Sequence, residues 1–278
     1  MHAAQVGHHD HHQASADGQF CKDVILPDLA ENERMYRAFQ DPTVTEEERH
    51  RLQAVYVAGN QWPQFSTLVI EFMDGTPEQK DMVQDVVMRT FQPLINLQLR
   101  FVEPRSVARS DIRVTFDPNG GAWSYLGTDC LSIAQERATM NLGWLHSGVI
   151  EHEFGHAIPA WVHEHQNPDS TNKLTGNWNK PRIIRDLSGP PNYWNQDQIY
   201  RNMFQAYDLD VVRGSTWDKF SIMQYFYPAI WTFDGIAVPQ NSSLSEKDKK
   251  WLRRQYPRDD SGIDEFTTTA VTGGVISE

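Results

Sequence analysis

The chain has 278 residues, which is enough for one domain of moderate size with a sizeable core. Its formal net charge of −12 argues against a basic face for nucleic acid or anionic lipid. No stretch reaches the roughly 18–20 consecutive apolar residues that span a bilayer, and the N-terminus lacks the apolar core of a secretory signal. We therefore expect a chain without membrane contacts, either cytoplasmic or exported by a route that its sequence does not reveal.

The N-terminal residues 1–57 are predicted to form a His-rich tail and a candidate pro-segment. Five of the eleven histidines lie in the first twelve positions, where nearby apolar residues are too few to hold them in a fold. Helices are expected at 29–39 and 46–55. Residues 58–258 are expected to form the main domain, and residues 259–278 a flexible C-terminal tail.

Regular elements are predicted after this N-terminal segment. Residues 67–72 read TLVIEF, which is typical of a strand. A helix start is then predicted at residues 76–79. Thr76 can cap the first turn, Pro77 suits the first helical position, and the Gln79 side chain can reach back to the cap residue. Apolar residues at helical spacing continue this helix until Pro93, which ends or kinks it.

Alternating apolar residues predict strands at 97–101 and 112–116, and two shorter strands at 125–127 and 139–145. The order of strand, helix and further strands predicts an α+β fold. Its N-terminal lobe would be a twisted mixed sheet with helices, one of which crosses between neighbouring strands.

The second half of the chain has fewer regular elements. A helix is predicted at 147–156, and polar stretches rich in Asn, Pro and Gly follow it. Further helices are expected at 196–207 and 245–256. Ser245 and Asp248 give the last helix a cap with a carboxylate three residues on. We therefore expect a mostly irregular and helical C-terminal lobe.

A metal-binding pattern, HEFGH, occupies residues 152–156 of the predicted helix. Residues four apart lie on one helix face, so both imidazoles can reach one ion. Zinc accepts imidazole nitrogen and keeps a position for water, and Glu153 is placed to act as a general base. The same pattern also arises by chance on surface helices. His163 and His165 follow closely, and either would supply a third ligand.

A second pattern, SIMQY, lies at residues 221–225. Together with HEFGH it resembles the metzincin clan of zinc endopeptidases, most closely the astacin-like members of fungi and bacteria. The stretches WSYLG, TMNLGW, GPPNYW and LSEKD are also similar to that family and occur in the right order, from position 61 to 257. The resemblance implies a metzincin-like zincin fold with the active-site helix at the cleft.

The resemblance also implies roles for individual residues. Glu153 would be the general base, Tyr225 would assist at the oxyanion, and Met223 would form a structural turn beneath the metal. The alternative is that Met223 and Tyr225 are ordinary core residues. One catalytic Zn²⁺ would be held by His152, His156 and His163.

The activity implied by the resemblance is zinc-dependent hydrolysis of internal peptide bonds. Protein or peptide substrates would bind extended along the cleft, with the strand at 139–145 as its edge. Added-strand pairing of this kind takes affinity from backbone hydrogen bonds and selectivity from side-chain pockets.

The spacing of the third histidine departs from the family by one residue. His163 follows His156 by seven positions instead of six, and Pro159-Ala160 replaces a single glycine. A continuous helix would carry His163 about 10.5 Å along the axis, beyond the reach of one zinc ion. Because Pro159 opposes helical continuation, we expect the chain to turn here. The family resemblance favours His163, which begins the His-Glu-His run that the family uses, and leaves His165 as the competing ligand.

Several residues allow more than one interpretation. Cys21 and Cys130 can be interpreted as two thiols in a reducing compartment, and this interpretation is favoured. They could instead form one disulfide. In a third interpretation, Cys21 caps the zinc and keeps the enzyme latent. Glu151 is either an acceptor for an imidazole N–H or an exposed helix carboxylate. The extra residue at Pro159-Ala160 also motivates an alternative function, a catalytically impaired fold that binds zinc or peptides without turnover.

Overall fold

The computed structural model describes residues 20–21, 60–166, 177–205 and 217–258. The helices predicted at 29–39 and 46–55 and the tail at 259–278 lie outside these residues. The main domain is an α+β fold in which a sheet lobe (residues 60–157) meets a C-terminal lobe (residues 177–258). Among the helices of the described residues, none is both long and apolar enough to cross a membrane.

A five-stranded mixed sheet forms the centre of the sheet lobe, as predicted. The strands lie in the order β2-β1-β3-β5-β4. The β1–β2, β1–β3 and β3–β5 pairs are parallel, whereas β4 runs antiparallel to β5 at one edge. The strands are β1 (Thr67–Phe72), β2 (Gln98–Val102), β3 (Ile112–Thr115), β4 (Ala122–Ser124) and β5 (Met140–Leu142).

Helix α1 (Pro77–Thr90) crosses from β1 to its parallel neighbour β2, as predicted. The Thr76 hydroxyl oxygen accepts from the Gln79 N–H at 3.3 Å, and the Gln79 side-chain oxygen accepts from the Thr76 N–H at 2.8 Å. This reciprocal pair is the predicted capping box. The helix ends before Pro93, and its apolar face packs into the core through Val83, Val86 and Val87.

Two predictions for this lobe were wrong. Residues 125–127 are not a strand, because the chain leaves β4 and starts a 3-10 helix, Gly127–Ser132. Gly127 has a φ of +46°, and a Cβ built there would overlap the carbonyl oxygen of Asn60. This close backbone approach turns the chain and ends the strand. The segment 139–145 contains β5, but β5 lies between β3 and β4, so the strand at this edge of the sheet is β4.

The remaining helices are short and surround the cleft. They are α2 (Ser147–Ala157), α3 (Lys180–Ser188), α4 (Gln196–Ile199) and α5 (Glu246–Gln255). Helix α4 continues as one π-helical turn, Tyr200–Phe204. Helix α5 has the predicted capping box between Ser245 and Asp248 and returns to the sheet lobe, where Leu252 joins its core. The sequence analysis had not predicted α3.

Two apolar cores lie on either side of the cleft. The first joins the sheet, α1, α2 and α5 through mostly aliphatic side chains and phenylalanines. The second lies in the C-terminal lobe and is dominated by aromatic residues, namely Phe20, Trp178, Trp194, Tyr225, Tyr227 and Trp231. The site described below lies where these cores meet.

Candidate metal centre and catalytic site

Helix α2 places the HEFGH residues at the cleft. The His146 ring nitrogen accepts from the Val149 N–H at 3.4 Å and caps its first turn. His152 and His156 then lie on one face, with ring centroids 4.9 Å apart. Glu153 is fully buried beside them, at 0% exposure.

The turn after α2 brings His163 back to the helix. Ala160 takes the left-handed conformation, with a φ of +58°, and the Trp161 N–H donates to the Gly155 carbonyl at 3.1 Å. Helices commonly end at a residue in the left-handed conformation, but glycine normally occupies that position, and the usual closing bonds span fewer residues. The His163 ring centroid reaches 4.7 Å from that of His156, and its Nε2 lies 3.2 Å from the His152 Nε2.

Oxygen acceptors orient all three imidazole rings. Each Nδ1 faces an oxygen that only accepts, so each neutral ring carries its proton on Nδ1 and directs the lone pair of Nε2 inward. The pairs are His152 with the Ile222 carbonyl at 2.7 Å, His156 with the Trp161 carbonyl at 2.6 Å, and His163 with the Gln166 amide oxygen at 3.2 Å. Hydrogen bonding of Nδ1 to an oxygen acceptor, with Nε2 directed inward, is the arrangement typical of histidines that bind a metal ion.

The structure separates His163 from its competitor His165. Burial, with the neighbouring His152 as a second cause, lowers the pKa of His163 well below its usual value, so the ring stays neutral at neutral pH. His165 is also buried, but its Nε2 lies 2.7 Å from the Asn202 carbonyl, in the C-terminal lobe. His163, and not His165, belongs to the convergent group.

Cys21 is the fourth member of that group. Its Sγ lies 3.6 Å from Glu153 Oε2 and 3.7 Å from His156 Nε2. The ligand atoms of Cys21, His152, His156 and His163 all lie within 4.8 Å of one another. Three imidazoles and a thiol are a donor set that suits Zn²⁺. The residues therefore fit the metal that the sequence implies.

Neither cysteine forms a disulfide in the structure. Cys130 is buried in the sheet lobe, where desolvation raises the pKa of its thiol. Of the three interpretations of the cysteines, the position of Cys21 favours a thiol at the metal centre over the pair of thiols that the sequence analysis favoured. No motif in the sequence identified it, since a single cysteine in a polar segment carries no spacing signal.

A turn at residues 221–225 packs against helix α2, where Met223 meets Gly155 and the Ile222 carbonyl meets the His152 ring. Met223 is buried, and its Sδ lies so close to Gly155 that a Cβ built there would require the methionine side chain to move. Asp248 fixes the turn from α5. Its carboxylate accepts from the Ser221 hydroxyl at 2.7 Å and the Ile222 N–H at 2.9 Å.

Glu151 performs a similar anchoring role on α2. It is buried, and its carboxylate accepts from the Leu244 N–H at 2.7 Å and the Thr90 hydroxyl at 3.4 Å. Desolvation raises its pKa. Glu151 is therefore neither an exposed carboxylate nor an imidazole acceptor, since both its oxygens serve the loop before α5 and the end of α1.

Tyr225 stands over the group of histidines. Its ring centroid lies 4.2 Å from that of His163, and its hydroxyl donates to the Cys21 carbonyl at 2.5 Å. The tyrosine hydroxyl thus already donates to a peptide carbonyl directly beside the metal centre. This arrangement can stabilise negative charge on a carbonyl oxygen.

A methionine turn below three convergent histidines, at the junction of a mixed sheet and an irregular lobe, defines the metzincin class of zinc peptidases. The family model of Astacin, a peptidase family, matches residues 58–257, most of the chain. The chain therefore belongs to the astacin family, which confirms the resemblance to the astacin-like members of the metzincin clan and makes the protein a zinc metallopeptidase.

Two solved structures of myroilysin agree with this assignment. One is 34% identical, with a TM-score of 0.65, covering 72% of this chain and 97% of that one. The other is 27% identical, with a TM-score of 0.56 and coverage of 86% and 91%. A third structure, of high choriolytic enzyme 1, a hatching enzyme zinc-protease from Oryzias latipes (medaka fish), is 17% identical, with a TM-score of 0.47 and coverage of 69% and 92%. A search of curated proteins found no match.

Proposed function

We propose that the protein is a zinc-dependent endopeptidase that hydrolyses internal peptide bonds in extended segments of protein substrates. The observation that carries this proposal is the convergence of three imidazole nitrogens and the Glu153 carboxylate on one buried point. His152, His156 and His163 would hold the metal. A zinc ion there supplies the Lewis acidity that lets water attack a peptide carbonyl at neutral pH.

Glu153 would move the protons of the reaction. Its Oε2 lies 3.6 Å from the Cys21 sulfur, in the space that an attacking water would use once the sulfur has left. From there the carboxylate can take a proton from the water and give it to the leaving amine. Tyr225 would donate to the substrate carbonyl as negative charge develops, as it now donates to the Cys21 carbonyl.

The edge strand β4 would bind the substrate backbone. It pairs with β5 on one side only, so its other side offers backbone groups to an added strand. The position of β4 beside α2, with which it is in contact, directs such a strand across the HEFGH residues. The proposed cleft edge is thus β4 in place of the 139–145 segment.

The described arrangement corresponds to a blocked form of this enzyme. The Cys21 thiol fills the space between Glu153 and the histidines, and residues 20 and 21 are both buried there at 6% and 7% exposure. A thiolate ligand in the open position of a catalytic zinc excludes the water that the reaction requires. Residues 20–21 would therefore have to leave before a substrate binds.

The test of the proposal compares casein cleavage and zinc content in the Cys21→Ala background. We expect Cys21→Ala to cleave casein faster than the wild type, and Glu153→Gln in that background to lose at least about 100-fold in rate. Zinc content should be unchanged, because Glu153 is not a ligand. Glu103→Gln, a change at an exposed carboxylate that directly follows β2 and pairs with Lys80 of α1, is the matched control.

The outcomes separate the proposal from its alternative. Zinc retention with no cleavage by Cys21→Ala would support the impaired fold that binds without turnover. Full activity of Glu153→Gln would contradict the role of Glu153. Replacement of zinc by Co²⁺ adds a readout without turnover, since a thiolate-to-cobalt absorption band is expected in the wild type and not in Cys21→Ala.

A further inference from the structure

Phe20 is inserted into a pocket built from four aromatic rings. Its ring is stacked on Phe226, with centroids 5.1 Å apart and planes at 9°, and on Trp231, at 5.6 Å and 25°. Tyr225 and Trp194 close the other sides at 5.2 and 6.1 Å. The walls come from three separate segments of the C-terminal lobe, so this pocket belongs to the fold of the domain and Phe20 is its occupant.

The backbone of the Phe20-Cys21 dipeptide is held as a bound peptide would be. The Phe20 N–H donates to the Asn192 side-chain oxygen at 3.1 Å. At the other end, the Cys21 carbonyl accepts from the Tyr225 hydroxyl. One side chain therefore points to the metal centre while its neighbour fills the aromatic pocket, and both ends of the dipeptide have polar partners.

The pocket walls are preorganised. Trp231 donates its indole N–H to the Asp186 carboxylate at 2.9 Å, and Asp186 is paired with Arg182 at 2.6 Å, which fixes the orientation of the Trp231 ring. Both tryptophans and Tyr225 are buried, at 2–4% exposure. Burial and stacking on a rigid aromatic surface of this kind favour the binding of a flat apolar side chain, whereas the cost of desolvation disfavours the binding of a carboxylate.

We propose that this pocket sets the specificity of the enzyme, by binding an aromatic or large apolar side chain from a substrate residue that flanks the cleaved bond. The proposal rests on the proposed endopeptidase function and adds the substrate class. Phe20 occupies the position of that side chain, because its neighbour Cys21 is the residue directly at the metal centre. Acidic residues at the same substrate position are disfavoured.

The first test measures binding without cleavage. Full-length Phe20→Ala leaves the pocket open, and Trp194 and Trp231 in its walls report occupation through tryptophan fluorescence. We expect N-acetyl-phenylalaninamide to bind about tenfold more tightly than N-acetyl-alaninamide, from the burial of one aromatic side chain. The wild type, with Phe20 in place, should show no such discrimination. Equal binding of the two amides to Phe20→Ala would overturn the proposal.

The second test maps cleavage sites. A mixed pool of unfolded peptides is digested with Cys21→Ala, and the cut positions are identified by mass spectrometry. We expect aromatic and large apolar residues to be enriched at one position beside the cut, and Phe226→Ala in the same background to reduce this preference about three- to tenfold. Phe65→Ala, a change at an exposed phenylalanine in the sheet lobe, should leave the preference intact.

The two tests distinguish the failure of this proposal from the failure of the enzyme assignment. Cleavage without a preference beside the cut would refute the pocket's role and leave the endopeptidase standing. Discrimination between the amides with no cleavage by any variant would refute the endopeptidase and reassign the aromatic pocket to peptide binding alone.

Discussion

The sheet lobe buries apolar side chains on regular strands and helices, whereas the C-terminal lobe joins short helices and turns through polar anchors and stacked aromatic rings. In the sheet lobe, Val87, Phe91 and Phe154 are all at 0% exposure. In the C-terminal lobe, the turn at residues 221–225 is held by a buried carboxylate from α5. The regular lobe thus supplies the rigid helix with two histidines, and the irregular lobe supplies the pocket and the tyrosine.

This comparison teaches that stability and site geometry depend on different residues. Loss of apolar packing in the sheet lobe lowers the stability of the whole domain. Loss of a polar anchor in the C-terminal lobe disturbs the floor of the metal centre, because the Ile222 carbonyl orients His152. For the same loss in the free energy of unfolding, a variant in the C-terminal lobe should therefore lose more zinc affinity than a variant in the sheet lobe.

The largest expected effect lies in the sheet lobe. Phe91→Ala removes a fully buried ring that packs against Phe154, with centroids 6.5 Å apart, and should lower the free energy of unfolding by about 4 kcal/mol. Chemical denaturation monitored by circular dichroism measures it. Met88→Ala in the last turn of α1, which Phe91 directly follows, changes a residue at 36% exposure and should cost less than about 1 kcal/mol. Equal losses for the two variants would contradict the assignment of the core.

The next effect tests the anchor in the C-terminal lobe. Asp248→Ala leaves the Ile222 and Ser245 N–H groups and the Ser221 hydroxyl without their acceptor, and should cost about 3 kcal/mol. Asp248→Ala should also weaken zinc binding, which competition with a chelator measures. Phe91→Ala should leave zinc binding unchanged at temperatures where that variant stays folded.

Asp248→Asn is the matched control for that anchor. Its amide oxygen can still accept from the two backbone N–H groups, while its NH₂ group turns to the Ser221 oxygen. We expect it to retain zinc affinity and most of the stability. If the alanine variant bound zinc as tightly as the asparagine variant, the turn would not depend on α5.

A smaller, pH-dependent effect is expected at Asp129 in the sheet lobe. Desolvation raises the pKa of the Asp129 carboxyl to about 6, and a hydrogen bond from the Asn60 amide opposes this increase only in part. The folded state therefore binds the proton more tightly than the unfolded state, and stability falls as the pH rises from about 4 to about 6. Asp129→Asn should remove this fall, so its stability relative to the wild type should increase between pH 4 and pH 7. Asp81→Asn, at an exposed position on α1, is the matched control.

The smallest effect concerns the turn between the lobes. Ala160 has a φ of +58°, which an L-residue adopts at a cost that glycine avoids. Ala160→Gly should raise the free energy of unfolding by about 0.5 kcal/mol, after the larger entropy of the unfolded glycine chain is included. Ala134→Gly, at a position outside the left-handed region, should instead lower it slightly. A loss of stability in Ala160→Gly would show that the turn is not strained.

The regular parts of the fold could be predicted from sequence because local signals determine them. The capping box at Thr76 and Gln79 and the strand at 67–72 each depend on a few neighbouring residues, and both were confirmed. Helix α3 was missed although Asn179 and Pro181 mark its start, because the surrounding Asn and Pro residues read as loop. The edge strand was misassigned because strand order depends on contacts between distant segments.

The site was only partly predictable for the same reason. The spacing of HEFGH indicated two histidines on one helix face, and the family resemblance added His163, Met223 and Tyr225. Spacing alone did not separate His163 from His165, since that choice depends on Ala160 and on the Asn202 carbonyl that binds His165. Cys21 and Phe20 reach the site from a distant part of the chain, and no local pattern marks them.

The measurement that tests the metal centre most directly is the zinc content of two matched variants, His163→Ala and His165→Ala, in the Cys21→Ala background. Both histidines are buried and lie two residues apart, so a general effect of losing a buried imidazole should be similar in each. After dialysis against a weak chelator, with circular dichroism to verify folding, we predict that His165→Ala keeps its zinc and His163→Ala loses it. Zinc retained by His163→Ala and lost by His165→Ala would contradict the proposed centre.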